Sequence, residues 1–275
     1  MWQWQTRSGL PYLTCDLLAE WQHGFFTRQF APREPRELTP FLADNASTHR
    51  LKQIHGKIVL SPTEIANATE VEVETGNALG DGVLTEQAAQ AVWVASADCN
   101  PILIANRHTG NVAAVHAGWR GTSLGIVQVA VERLLTQGGS LADIIVAIGP
   151  AIDGKVYQVT TQTGLEVCAS ICQGQGFCAG RDFANANVPT SLSGDLDTDI
   201  ASLLAIPNSP LLPDEQAGRV RLDVRRVNQL QLESLGVDPA QISIAPHCTF
   251  QEPEYFFSYR REKLKKIQWS GIVSG

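Results

Sequence analysis

The sequence predicts an α/β (α+β) protein, and three observations carry the reading. Apolar runs bounded by turn residues recur at Ala91–Ala97, Val112–Val115, Asp143–Pro150 and Gln241–Ala245, which is how buried strands read. Elsewhere the apolar period changes: Leu124, Val127, Val131, Leu134 and Leu135 fall on one helical face. A length of 275 residues, 44% of them hydrophobic and 18% charged, supplies a sizeable core as one large domain or two small ones.

The bulk numbers also exclude several classes. A formal charge of −7 and a pI of about 5.4 leave no basic footprint for nucleic acid. Mean hydropathy is −0.06, and no apolar run reaches the roughly 18 residues of a membrane span. The start, MWQWQTRSGLPYL, has neither a charged n-region nor an apolar h-region, so no signal peptide is expected. Six scattered cysteines without export signals point to reduced thiols in a cytoplasmic protein.

In chain order, Trp2–Leu13 reads as a strand or extended edge with aromatic anchors. Phe30–Pro40 holds three prolines among charges and reads as a loop; Arg28 before it is either an anion ligand or a solvated side chain. Ala46–Leu60 reads as a helix end running into Gln53-Ile54-His55-Gly56, where the glycine permits a turn or a close approach. Ser61–Asn77 is a polar loop or edge hairpin, and Ala78–Thr85 a turn entering a strand, with Asp81 between two glycines. The helix after His116 starts at about Arg120–Ser123 and stops at Gly138-Gly139; its free N–H groups together with Arg120 suit phosphate. Thr163–Ile171 is helical. Cys168, Cys172 and Cys178 lack a CxxC knuckle and read as incidental thiols. Gly180–Gly218 reads as a long surface insertion. Leu222–Leu235 returns to helix, capped by Asp223 and stopped by Gly236. Glu254–Arg261 is either a core strand with solvent-facing arginines or a substrate wall with an anion contact.

The chemistry gathers at strand ends. The run Ala91–Ala97 leads into Asp98-Cys99, and Val112–Val115 leads into His116. Cys99 and His116 are either a nucleophile with its base or two ligands of a metal. With His55 they form a His/Cys/His set, which zinc accepts with a fourth position open, as in catalytic sites. Asp98 is the nearest carboxylate and the first candidate acid/base, provided the strand ends or bulges there, because strand neighbours otherwise face opposite ways; if not, it is a structural cap. Asp81 is the reserve candidate. Cys248 either supports the site or is a buried structural thiol. Six histidines with no His-X-His pair give no basis for multicopper chemistry. The deaminase signature H-x-E with P-C-x-x-C is also absent.

QIHG at Gln53–Gly56, ADC at Ala97–Cys99, HAGWRGT at His116–Thr122, IGPAI at Ile148–Ile152 and FFSYRRE at Phe256–Glu262 occur in this order. On that set the chain resembles the YfiH family, also called the laccase-domain or multicopper polyphenol oxidase family, from about His23 to Trp269. It departs from the pattern at Gln29–Pro40, where the family carries a Gly-Gly-Val-Ser-like segment, and at Gly180–Gly218. The resemblance implies a single domain over residues 1–275, a mixed β-sheet sandwich layered with helices, similar to the catalytic domain of cytotoxic necrotizing factor. It implies zinc on His55, Cys99 and His116, with copper disfavoured. It implies a purine nucleoside phosphorylase acting on adenosine, inosine, guanosine and methylthioadenosine that also deaminates adenosine, with purine nucleoside and phosphate as partners, as a monomer or homodimer. In that reading Arg28 and Arg120 take the phosphate, Asp98 is the acid/base, and zinc activates water for deamination at C6. The alternatives are a metal-free Cys99–His116 amidohydrolase in peptidoglycan-precursor editing, a polyphenol oxidase, and a non-enzymatic binding protein.

Overall fold

The computed structural model describes residues 1–172 and 195–275. Its first sheet has six strands in the order Trp2–Arg7, Leu10–Cys15, His23–Phe26, Gln268–Val273, Gln90–Ser96 and Ser47–His49. The second has six in the order Ile242–Ile244, Ile144–Ile148, Asn100–Asn106, Val112–Ala117, Gly82–Leu84 and Val59–Leu60. Both mix parallel and antiparallel pairs. A third sheet joins Gln158–Thr160, Arg219–Leu222 and Leu211–Pro213.

Side-chain alternation explains the layering. Leu103 and Ala105 face the first sheet in one cluster with Val92, Val94 and Ile272. Ile102 and Ile104 face the other way, onto Val127, Val131 and Leu134 of helix Ile126–Thr136. Strands covered on both faces are apolar over most of their length. The outer face of the first sheet packs Trp93 and Trp269 against Leu38 of helix Pro35–Leu42. The result is the expected mixed β-sandwich layered with helices.

Several local expectations are corrected. The proline-rich Phe30–Pro40 segment is not all loop: Pro35 takes the first helical turn, where its missing N–H costs nothing, and Glu34 and Glu37 close a capping box. Ala46–Leu60 contains no helix end, only the strand Ser47–His49, irregular chain and the strand Val59–Leu60. The helix after His116 is two helices, Trp119–Ser123 and Ile126–Thr136, separated by left-handed Gly125. Glu254–Arg261 forms no strand; a short helix, Tyr259–Glu262, ends it. Residues 180–194 of the expected insertion lie outside the described residues, as does Cys178. Residues 195–218 are packed rather than loose: helix Leu196–Leu204 buries Leu203, and Leu211 is buried beside it. Helix Val224–Leu235 is as expected, with the Asp223 carboxylate accepting from the N–H groups of Arg225 and Arg226 and Gly236 left-handed at its end.

Candidate metal centre

The strand Gln90–Ser96 belongs to the first sheet and the strand Asn100–Asn106 to the second. Ala97–Cys99 is therefore the corner where the chain crosses between layers, and Asp98 turns it with φ = 91°. The corner removes the strand-alternation objection to Asp98 and Cys99 sharing one site. Across the second sheet Pro101 pairs with His116, which places the imidazole beside the corner. The third arm is Gln53–Gly56. The Gln53 side chain accepts from the N–H of Ala95 at 2.7 Å and donates to its carbonyl at 2.8 Å, stapling the arm to the end of the strand. His55 is then held in the left-handed region, φ = 60°, a conformation costly for a non-glycine residue and concentrated at functional sites.

Asp81 holds that conformation. Its fully buried carboxylate accepts from the backbone N–H groups of Ile54 (3.2 Å), His55 (2.9 Å) and Gly56 (2.7 Å). It also accepts from His116 Nδ1 at 2.9 Å. Burial by itself raises the Asp81 pKa, but these donors, His116 foremost, outweigh it and hold the carboxyl below its ordinary value. A carboxylate saturated by four donors is a positioning group, which is a different part from the reserve acid/base expected of it.

The outcome is that ligand atoms of His55, Cys99 and His116 lie within 4.8 Å of one another. With Nδ1 engaged by Asp81, His116 presents Nε2 to the thiol, the carboxylate–histidine arrangement that surrounds bound metals. Burial would raise the Cys99 thiol; the charge and hydrogen bond of His116, and then those of His55, bring it down to about 6. Burial would likewise lower His116; Cys99 first and Asp81 next push it up to about 9. The metal-free pair is thus a thiolate and an imidazolium near neutrality. Alkylation of metal-free protein by iodoacetamide, followed at Cys99 by mass spectrometry, is expected to have its rate midpoint near pH 6 and to be suppressed by added zinc. A midpoint at the ordinary thiol value removes the pair.

The glycines of HAGWRGT are steric necessities. A Cβ on Gly118 would lie 2.8 Å from the Cys99 sulfur, and one on Gly121 would lie 2.9 Å from the Gly56 carbonyl. A small cleft beside Cys99 is lined by Asp98, Asn100, Trp119, Ile152 and Tyr157. Asn100 is buried there with no partner for its Nδ2 among the described residues. Asp98 is committed to the far wall: its oxygens accept from the Thr249 hydroxyl at 2.7 Å and the Arg260 N–H at 2.7 Å.

Of the expected phosphate ligands, Arg120 is exposed beside this cleft, its guanidinium over the Trp119 ring at 4.4 Å. Arg28 is occupied elsewhere, donating to the Pro253 carbonyl and to Glu262 and lying over Phe257. Arg260 lies 4.8 Å over the Tyr157 ring. Burial, with contributions from Cys99 and Asp98 against Arg260 and Arg120, pushes Tyr157 up to about 12, so all four groups act on this one ring. Trp119, Tyr157, Asn100 and Arg260 were missed as individual site residues. Their only sequence signal was membership of the HAGWRGT and FFSYRRE motifs for Trp119 and Arg260. Cys248 is buried, with its sulfur accepting from Asp153 N–H at 3.3 Å. Burial pushes the Cys168 thiol up to about 12, as suits an inert side chain.

Among the described residues, His55, Cys99 and His116 are the one set of three such side chains that could hold a metal, and no helix is long and apolar enough to cross a membrane. The pattern that defines the Multi-copper polyphenol oxidoreductase laccase family matches residues 36–205 and 200–271. A purine nucleoside phosphorylase of Synechocystis sp. is 45% identical over 274 residues, covering 100% of this chain and 97% of the relative. Adenosine deaminase RL5, from an unknown prokaryotic organism, is 28% identical over 76% of this chain and 68% of its own. The crystal structure of YlmD from Geobacillus stearothermophilus superposes with a TM-score of 0.74 at 24% identity, covering 98% of both chains.

Proposed function

This chain belongs to the Multi-copper polyphenol oxidoreductase laccase family, and we propose that within it the protein is a zinc-dependent purine nucleoside phosphorylase with adenosine deaminase activity, acting on adenosine, inosine, guanosine and methylthioadenosine. The observation that carries this reading is the convergence of His55, Cys99 and His116 beside a cleft walled by Trp119 and Tyr157, joined to 45% identity with a phosphorylase along the whole chain.

The donor set suits zinc: two imidazoles and a thiolate leave one position open, as in catalytic zinc sites. A copper site with the same three ligands commonly adds an axial methionine. The single methionine here, Met1, is exposed and its amino group pairs with Asp16. When bound, zinc supplies Lewis acidity. Everything else falls to the chain. In phosphorolysis a phosphate oxygen attacks C1′ of the ribose as the N-glycosidic bond breaks and the purine leaves. Trp119 and Tyr157 offer aromatic faces to the base. Arg120 is our phosphate ligand, with Arg260 opposite it and Arg28 bracing Glu262 instead. Asp98 orients the Arg260 backbone rather than serving as the acid/base. We place the enzyme in the cytoplasm, as a single domain.

A second reading is favoured by one observation. Cys99, His116 and Asp81 stand in the order of a nucleophile, a base and the carboxylate that orients it, as a metal-free cysteine amidohydrolase requires. His55 separates the two. In the zinc reading, His55→Ala loses bound metal and phosphate-dependent release of hypoxanthine from inosine together, measured by elemental analysis and chromatography on the same samples. Active wild-type protein free of metal moves Cys99 to nucleophile. About one copper per chain reassigns the centre to the oxidase chemistry of the family's name.

A further inference from the structure

A second cavity, of about 440 Å³, opens on the outer side of the first sheet and shares no lining residue with the cleft beside Cys99. Its walls are Phe26, Phe30, Leu38, Phe257 and Trp269. A volume in this range, apolar walls and a few charged groups describe a small-molecule site. The flat walls suit a flat ring.

The charges at its edge are unbalanced. Glu34 is paired with Arg50 at 3.5 Å, and Arg50 lies over Trp269. The neighbouring Arg28 is paired with Glu262 at 3.0 Å. Arg33 and Lys266, which also line the cavity, have no carboxylate partner among the described residues. Arg33 makes one long hydrogen bond, to the Phe30 carbonyl at 3.4 Å, and Lys266 sits 5.7 Å over Phe257. Two cations beside aromatic walls favour an anion carried on an apolar body.

Phe30, Ala31, Pro32, Arg33, Glu34 and Leu38 come from one continuous segment, Gln29–Pro40. Connecting segments held on a rigid scaffold are where binding residues concentrate.

We propose that this cavity is a second ligand site, separate from the metal centre, for a planar aromatic molecule bearing one carboxylate or phosphate, the ring between Phe257 and Trp269 and the anion at Arg33 and Lys266. The test is isothermal titration of the full chain with 2-naphthoate, 2-naphthyl phosphate and uncharged 2-naphthol. One of the two anions is expected to bind at least tenfold more tightly than the naphthol, and which one wins identifies the anionic group. The double variant Arg33→Glu/Lys266→Glu is expected to weaken that binding at least tenfold. Ala31→Phe, a plug at an exposed wall position, is expected to abolish it. Nucleoside turnover in both variants should stay within twofold of wild type. No heat from any probe at millimolar concentration overturns the proposal, as does affinity unchanged in both variants. Turnover lost in step with binding overturns it too, because the cavity then belongs to the nucleoside site.

Discussion

Cys99→Ala is expected to leave a folded protein that carries no stoichiometric metal and has lost more than about 100-fold of its phosphorolysis, the upper end of what removing even an outer supporter of a metal ligand costs. The fold should survive because Cys99 sits at a partly exposed corner and not in one of the apolar clusters. Melting temperature in the presence of chelator separates the two effects. It should be nearly unchanged from the metal-free wild type, whereas zinc should raise it only in the wild type, since a ligand stabilises only the state that binds it. Metal retained at one per chain in Cys99→Ala sinks the zinc assignment of this residue.

Asp81→Ala is expected to be the more damaging change to stability. It strands three backbone N–H groups and the imidazole of His116 in a site where Asp81 is fully buried. Removing one partner of a buried charged network costs roughly 3–5 kcal/mol, about 10 °C of melting temperature for a chain of this size. Asp81→Asn keeps the shape and isolates the electrostatics, with metal affinity falling by about 10- to 100-fold. Because the carboxyl is held below its ordinary value, its contribution is complete above the unfolded value near 4 and is lost as pH falls through the lower native value. Urea denaturation between about pH 2 and 5 should therefore show a shallower acid loss of stability in Asp81→Asn than in wild type. Parallel profiles would mean that Asp81 contributes packing alone.

The legible part of the site was its motifs. QIHG, ADC and HAGWRGT named the three ligand candidates, because glycines and reactive side chains at the ends of apolar runs carry local signals. The capped helix Val224–Leu235 was legible for the same reason: Asp223 and Gly236 act within one turn of themselves. Gln268–Val273, which runs between two other strands of the first sheet, was not. Its sequence QWSGIV carries a glycine and polar residues, and only pairing with Gln90–Ser96 on one side and His23–Phe26 on the other makes it a strand. Asn100–Asn106 was hidden by Pro101, a residue that argues against a central strand; its carbonyl, which proline retains, accepts from Gly149. Helix Pro35–Leu42 was hidden by reading proline only as a breaker.

The sequence by itself determined the strand and helix content through its apolar periodicity, and the family resemblance and ligand candidates through its motifs. The tertiary structure alone decided the role of each charged side chain. Arg28 and Arg120 look alike in the chain, yet one is consumed by Glu262 and the Pro253 carbonyl while the other is exposed beside the cleft. Asp81 and Asp98 exchange importance because four donors converge on the first, while the second braces the Arg260 segment. A hydrogen bond is set by distance and direction in space, and those partners lie 25 to 234 residues apart along the chain.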